Sequence, residues 1–339
     1  MNLLIRTDAS IAIGTGHVMR CLALAQAWQD SGGRAVFALA ESTPAVTAKL
    51  SSENLKVIPI CCEVGSAEDA RQTIAVADEL KTDWIAADGY RFKSGYQRTL
   101  KGDGRKLLVL DDYGHSDHYA ADLVLNQNVS ANQQLYANKE LYTRLLLGPA
   151  YALLRREFLG WRDWKREIAP ICRRVLIMMG GSDPENVTAR VLEASLPFER
   201  VEKVVVVGGS NPHRVEPEGL AAQHKSIALL RDVADVPKLM AEADIAISAA
   251  GSTSWELCFM ALPSLLIDVA ENQTTVAREL DRRGCAIHLG NQRVGSATIS
   301  ANLQRVCNSP ELRKSMSECS QKLVDGLGTQ RVIKELRRP

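Results

Sequence analysis

Short apolar runs alternate with amphipathic stretches along almost the whole chain, a pattern that calls for parallel β-sheets flanked by helices. In the first half the runs Leu3–Arg6, Ala35–Leu39, Val57–Ile60, Trp84–Ala86, Leu107–Leu110 and Leu123–Leu125 read as strands. Between them, His17–Trp28, Ala67–Leu80 and Ser94–Leu100 read as helices. A second series opens at Arg174–Met179 and continues through Lys203–Val207, Ile227–Leu229, Ile245–Ser248, Ser264–Ile267 and Ala286–His288. After Ile299 the pattern is helical only, over Glu311–Val324 and Arg331–Arg337. The chain of 339 residues exceeds what one core usually serves. Its polar, Trp- and Arg-rich stretch Gly160–Pro170 marks the natural break. The expected fold class is therefore α/β, with two doubly wound, Rossmann-like domains at 1–160 and 170–325 and a C-terminal helix within 326–339. Ligands of such sheets sit beyond the carboxyl ends of the strands, and two domains facing across a cleft would share one ligand.

Charge narrows the function. With 41 basic and 40 acidic residues the net charge is +1, which gives no general attraction to nucleic acid or anionic membrane, so any anion site must be local. None of the eight cysteines forms a C-x-x-C, and Cys21 and Cys258 fall within apolar helical patterns. They read as reduced, buried residues of a cytoplasmic protein, without a disulfide framework or a zinc site. The opening Met1–Asp8 is too short an apolar stretch for a signal peptide, and no run approaches the roughly 18 apolar residues of a spanning helix.

Three post-strand segments carry candidate chemistry. The first is Asp8-Ala-Ser10-Ile-Ala-Ile-Gly14-Thr-Gly16-His17-Val-Met-Arg20. As a dinucleotide fingerprint it fails, because Met19 stands where a third small residue is required. A histidine at a helix N-terminus is instead favoured in its neutral, proton-accepting form. Spacing alone leaves open that His17 is only a polar residue of a first turn. The second segment, Gly180-Gly181-Ser182-Asp183-Pro184, frees backbone N–H groups to face a ligand, with Asp183 as N-cap and Pro184 as first helical residue. An ordinary strand–turn–helix looks much the same.

The third segment, Ala250-Gly251-Ser252-Thr253-Ser254-Trp255-Glu256, runs from a strand into a helix start rich in hydroxyls, which suits a diphosphate without any lysine. Glu256 could accept from both ribose hydroxyls, although Thr253-x-x-Glu256 is equally a capping box. Asn272 and Gln273 offer side-chain amides to sugar or phosphate oxygens, though Asn272 could be only an N-cap. Asp88-Gly-Tyr90 and Asp111-Asp112-Tyr113 end two strands of the first half and supply acids and a phenol. The run Asp111 to His118 matches no recognised metal-ligand spacing, so no metal is expected.

These motifs, with Leu125-Asn126-Gln-Asn128 and Gly148…Tyr151-Ala-Leu-Leu-Arg155-Arg-Glu-Phe158, resemble the pseudaminic acid biosynthesis protein G family in order and separation, from the first strand to about Asn272-Gln273. Those are UDP-2,4-diacetamido-2,4,6-trideoxy-β-L-altropyranose hydrolases, and the family is similar to GT-B glycosyltransferases such as the one that makes lipid II. The resemblance implies a GT-B-like fold and hydrolysis of the UDP-sugar without cofactor. It implies His17 as general base, with Asp8, Gly14, Gly16, Arg20, Tyr90, Asn272 and Gln273 around the sugar. Gly180, Gly181, Ser182, Gly251, Ser252, Thr253 and Glu256 would hold UDP. The expected partner is the small-molecule UDP-sugar, with no nucleic acid or membrane, on a monomer or weak oligomer. A GT-B glycosyltransferase using the same site, or a non-catalytic UDP-sugar sensor, are the competing readings.

Overall fold

A computed structural model describes residues 1–213, 215–231 and 233–338. The chain separates into two compact units: Met1–Ser10, His17–Arg156 and Leu327–Pro339 make the first, and Ile11–Gly16 with Glu157–Gly326 the second.

The first unit carries seven strands: β1 (Asn2–Thr7), β2 (Arg34–Leu39), β3 (Lys56–Pro59), β4 (Trp84–Asp88), β5 (Lys106–Leu110), β6 (Leu123–Asn126) and β7 (Arg144–Leu147). Their order is β3-β2-β1-β4-β5-β6-β7, parallel at each pairing. Both faces are covered, as parallel sheets require. Along β1, Leu3 and Ile5 enter one core with Trp28 and Phe37, whereas Leu4 enters the opposite core with Ile85 and Val109. Strand order reverses between β1 and β4, so ligands are expected above that pair. The C-terminal helix Gly328–Leu336 packs into this unit: Trp84 Nε1 donates to Leu336 O at 2.9 Å, and Val332, Ile333 and Leu336 join the β1 core.

The second unit carries β8 (Arg174–Met178), β9 (Glu202–Val207), β10 (Ile227–Arg231), β11 (Ile245–Ala249), β12 (Ser264–Asp268) and β13 (Ala286–Asn291). The order β10-β9-β8-β11-β12-β13 is again parallel at each pairing, with its reversal between β8 and β11. Sequence periodicity thus finds every strand except β7, whose short run Arg144–Leu147 follows a turn that itself carries the apolar Leu141 and Tyr142, so no polar break announces the strand. The doubly wound α/β class is as expected.

Candidate functional site

The switch point of the first sheet is built from the start of the helix that follows β1 and the last residue of β4. His17 stands in the first turn of the helix Gly16–Asp30, and Asp88 ends β4. His17 Nδ1 lies 2.6 Å from Asp88 Oδ1. The Asp88 side chain is fully buried and that of His17 is 12% exposed. A carboxylate on Nδ1 fixes the tautomer: Nδ1 carries the proton, and Nε2 is left as acceptor.

Arg20, one helical turn on, binds Asp88 through two parallel bonds of 2.7 Å and donates at 2.6 Å to Asp112 Oδ1. Tyr90 donates to Asp112 Oδ2 at 2.6 Å, and its ring meets His17 edge-on at 4.9 Å. Asn128 Nδ2 closes the network on Asp112 Oδ1 at 3.0 Å. Burial works to raise both carboxyls, yet Arg20 and His17 hold Asp88 far below the usual range, and Arg20 also holds Asp112 down. Burial and the Asp112 charge push the Tyr90 phenol up, so it stays a hydrogen-bond donor. One guanidinium between two carboxylates leaves the cluster with excess negative charge while His17 is neutral.

Two of the expected sugar-site residues are occupied within the protein. Arg20 is 7% exposed and engaged by Asp88 and Asp112. Asp8 accepts from the backbone N–H groups of Ala40 and Glu41 at 2.7 and 2.9 Å and pairs with Arg6 at 2.7 Å. Sequence reasoning named Asp88 and Asp112 only as strand-end acids. The signal for their roles was available, because an order that sets β4 beside β1 brings the last residue of one strand to the helix that follows the other. Asp111 turns the other way: it accepts from the backbone of Tyr113 and Gly114, both at 2.7 Å, and from Tyr119.

At the switch point of the second sheet, Gly180 has φ +82°, a conformation that glycine adopts freely. Gly181 admits Thr15 of the Ile11–Gly16 segment so closely that an added Cβ would lie 2.0 Å from Thr15 Oγ1. In the same segment, a Cβ on Gly14 would reach 3.8 Å from Ser182 Oγ, and one on Gly16 3.9 Å from Ser252 Oγ. The expectation that Pro184 starts a helix is corrected. The helix is Val187–Ser195, its N-cap Asn186 is left-handed, and Asp183, at φ 41°, reaches forward to accept from Val187 N and Thr188 N at 2.8 and 2.9 Å. Asp183 caps the helix across a turn rather than from the adjacent position.

The loop after β9 lies on the same glycines, with Ser210 N donating to Gly181 O at 3.1 Å. A Cβ on Gly208 would come within 2.3 Å of Gly181 O and 2.5 Å of Gly180 O, both backbone atoms. Gly208→Ala is therefore expected to destabilise the protein by about 1–3 kcal/mol, the usual cost of overpacking. Urea unfolding checks this; an unchanged midpoint would show that the two loops yield freely.

After β11, the helix Thr253–Phe259 has Ser252 as N-cap without a side-chain bond. The capping-box alternative for Thr253 and Glu256 is thus not realised, since Thr253 is already helical. Glu256 is 8% exposed. Gln273 stands over Gly251, whose absent Cβ would meet Gln273 Nε2 at 3.4 Å, and it accepts from Val269 N at 3.1 Å. Asn272 is the second residue of the helix Glu271–Arg282 and not its N-cap, which is Ala270. Beneath them Asp268 accepts from Thr274 Oγ1 at 2.7 Å and pairs with His288.

Residues 175–332 match the glycosyltransferase family 28 C-terminal domain. The UDP-2,4-diacetamido-2,4,6-trideoxy-beta-L-altropyranose hydrolase of Campylobacter jejuni is 27% identical over 84% of this chain and 97% of its own length. The spore coat polysaccharide biosynthesis protein SpsG of Bacillus subtilis is 28% identical over 68% of each chain. An uncharacterized protein of Methanocaldococcus jannaschii is 26% identical over 79% of this chain, which spans only 55% of that longer relative. Among solved structures, MurG of Acinetobacter baumannii superposes with a TM-score of 0.65 at 16% identity, covering 99% of both chains. The spinosyn rhamnosyltransferase SpnG complexed with thymidine diphosphate gives 0.68 at 15% identity, covering 99% of this chain and 100% of the other. The fold is that of the GT-B glycosyltransferases, and the sequence is related to named altropyranose hydrolases.

Proposed function

We propose that this chain, a relative of the diacetamido-altropyranose hydrolases, is itself a UDP-sugar hydrolase whose substrate is UDP-2,4-diacetamido-2,4,6-trideoxy-β-L-altropyranose. The observation that carries this reading is the His17–Asp88 pair, 2.6 Å apart at the switch point of the first sheet. In the reaction, His17 Nε2 takes a proton from water as the water oxygen bonds to the anomeric carbon and the bond from that carbon to the diphosphate oxygen breaks. UDP departs with the bonding pair, and attack opposite the leaving group inverts the anomeric centre. Asp88 holds the ring and offsets the charge of the imidazolium that forms. General-base help of this kind contributes about 10²–10⁴-fold.

The second unit supplies the nucleotide seat in this scheme. Glycine-freed N–H groups after β8 and the start of the helix after β11 neutralise a departing diphosphate, so no separate acid is required. Glu256 accepts from the ribose. Glu256→Ala is expected to weaken UDP binding about tenfold or more, because hydrogen bonds to charged groups contribute ~1.5–3 kcal/mol. Titration calorimetry with UDP tests this. Unchanged affinity with lowered stability would assign Glu256 to the fold alone.

The reaction itself is tested by an NMR time course on the UDP-sugar with no acceptor present. Water-dependent appearance of UDP and free sugar, first as the inverted anomer, is the expected outcome. Release only on adding an acceptor would make the chain a transferase, and no release would make it a sensor.

A further inference from the structure

Two cysteines far apart in sequence meet in the second unit. Cys172, just before β8, and Cys307, the last residue of the helix Ser296–Cys307, have their sulfurs 3.4 Å apart, both as free thiols. The same two segments are strapped together by one buried side chain. Arg313 is 1% exposed and donates to Val306 O and Cys307 O at 2.8 and 2.6 Å, and to Ala169 O at 2.6 Å. We infer that Cys172 and Cys307 form an oxidation site, closing to an intramolecular disulfide when the protein meets a peroxide-class oxidant.

The chemistry balances in two steps. The Cys307 thiolate attacks one oxygen of hydrogen peroxide, giving the sulfenic acid and hydroxide. The Cys172 sulfur then attacks the Cys307 sulfur, the S–S bond forms as the S–O bond breaks, and the Cys172 proton joins the departing hydroxide as water, while the hydroxide of the first step takes up the proton released on forming the Cys307 thiolate. Overall two thiols and one peroxide become one disulfide and two waters.

Local environment selects the attacking sulfur. The hydrogen bond with Cys172, helped by the Arg313 guanidinium, holds the Cys307 thiol below its ordinary range against the effect of burial. The same hydrogen bond and burial push Cys172 up, keeping it protonated as the resolving thiol. Cys307 is also the more exposed of the two, Cys172 being 7% exposed. Because Arg313 already fixes the flanking backbone on both sides, the two sulfurs stay near each other without the bond.

Cys61 provides the internal control, since it is the one cysteine in the exposed class among the described residues. If exposure decided reactivity, Cys61 would oxidise first. The test treats the full-length protein with a few equivalents of hydrogen peroxide, blocks residual thiols with iodoacetamide, and maps peptides without reductant. The expected result is a 172–307 linkage, a protein lighter by two hydrogens, and full reversal by dithiothreitol. In Cys307→Ser the Cys172 thiol should remain alkylatable, and in Cys172→Ser Cys307 should stop at the sulfenic acid, trappable with dimedone. Both thiols remaining alkylatable in the wild type while Cys61 is oxidised would overturn the inference.

Discussion

Turnover is expected to fall by about 10²–10⁴-fold in His17→Ala, the range associated with loss of a general base, while UDP affinity stays within a few-fold of wild type. The separation follows from where the groups lie. His17 belongs to the first unit, whereas Gly180, Gly181, Ser182, Gly251 and Glu256 belong to the second. Asp88→Asn is the sharper variant. Its side chain is fully buried and accepts from Arg20 and His17, so an isosteric amide keeps the shape but removes the charge opposite the imidazolium and one of the two acceptors of Arg20, and a loss of stability accompanies the loss of turnover. An amide NH₂ facing Nδ1 also favours the tautomer with the proton on Nε2, where the acceptor is needed. The expected kcat loss is of the same order as for His17→Ala, with KM little changed. Residues acting as one unit are non-additive, so the double variant should be no slower than His17→Ala alone. Multiplying losses would mean that Asp88 acts by a route independent of His17. Steady-state release of UDP, followed in all three variants, decides between the two.

The architecture was legible in the sequence because a parallel sheet covered on both faces has only one way to be written: apolar runs of four to six residues separated by helices. Leu3, Leu4 and Ile5 are all buried, on alternating faces, and no polar residue interrupts them. The site was legible in part. His17 and the glycines announce themselves by sitting where a strand gives way to a helix. What sequence spacing could not disclose is partnership across the chain. The resemblance implied Arg20 beside the sugar, but nothing in the spacing announced that Asp88 and Asp112, 68 and 92 residues away in sequence, bind its guanidinium. Asp183 misled for a related reason. Its side chain does cap a helix, but from beyond the adjacent position, which the left-handed Asn186 allows. The Cys172–Cys307 pair, 135 residues apart, gave no local signal at all.

Arg20 therefore carries the second large expectation, on stability. Arg20→Leu strands two buried carboxylates that both pair with its guanidinium. Removing one partner of a buried ion pair typically costs about 3–5 kcal/mol, and here one guanidinium serves both acids. Arg20→Lys keeps the charge but cannot span Asp88 in two parallel bonds and reach Asp112 as well, so it should recover part of the loss. The pH dependence gives the sign. In the wild type both folded-state carboxyls lie below the unfolded value of about 3.9, so their contribution is complete above that pH and is lost as pH falls through the folded values. In Arg20→Leu, burial without a cation raises them instead, and the acids can become neutral in the folded state. The gap between wild type and Arg20→Leu should thus be widest near pH 7 and narrow progressively toward pH 4. Hydrogen exchange at the β4 amides across that range measures it within the first unit. A gap that stays constant with pH would mean that the Arg20 methylenes, and not its charge, hold this part of the fold.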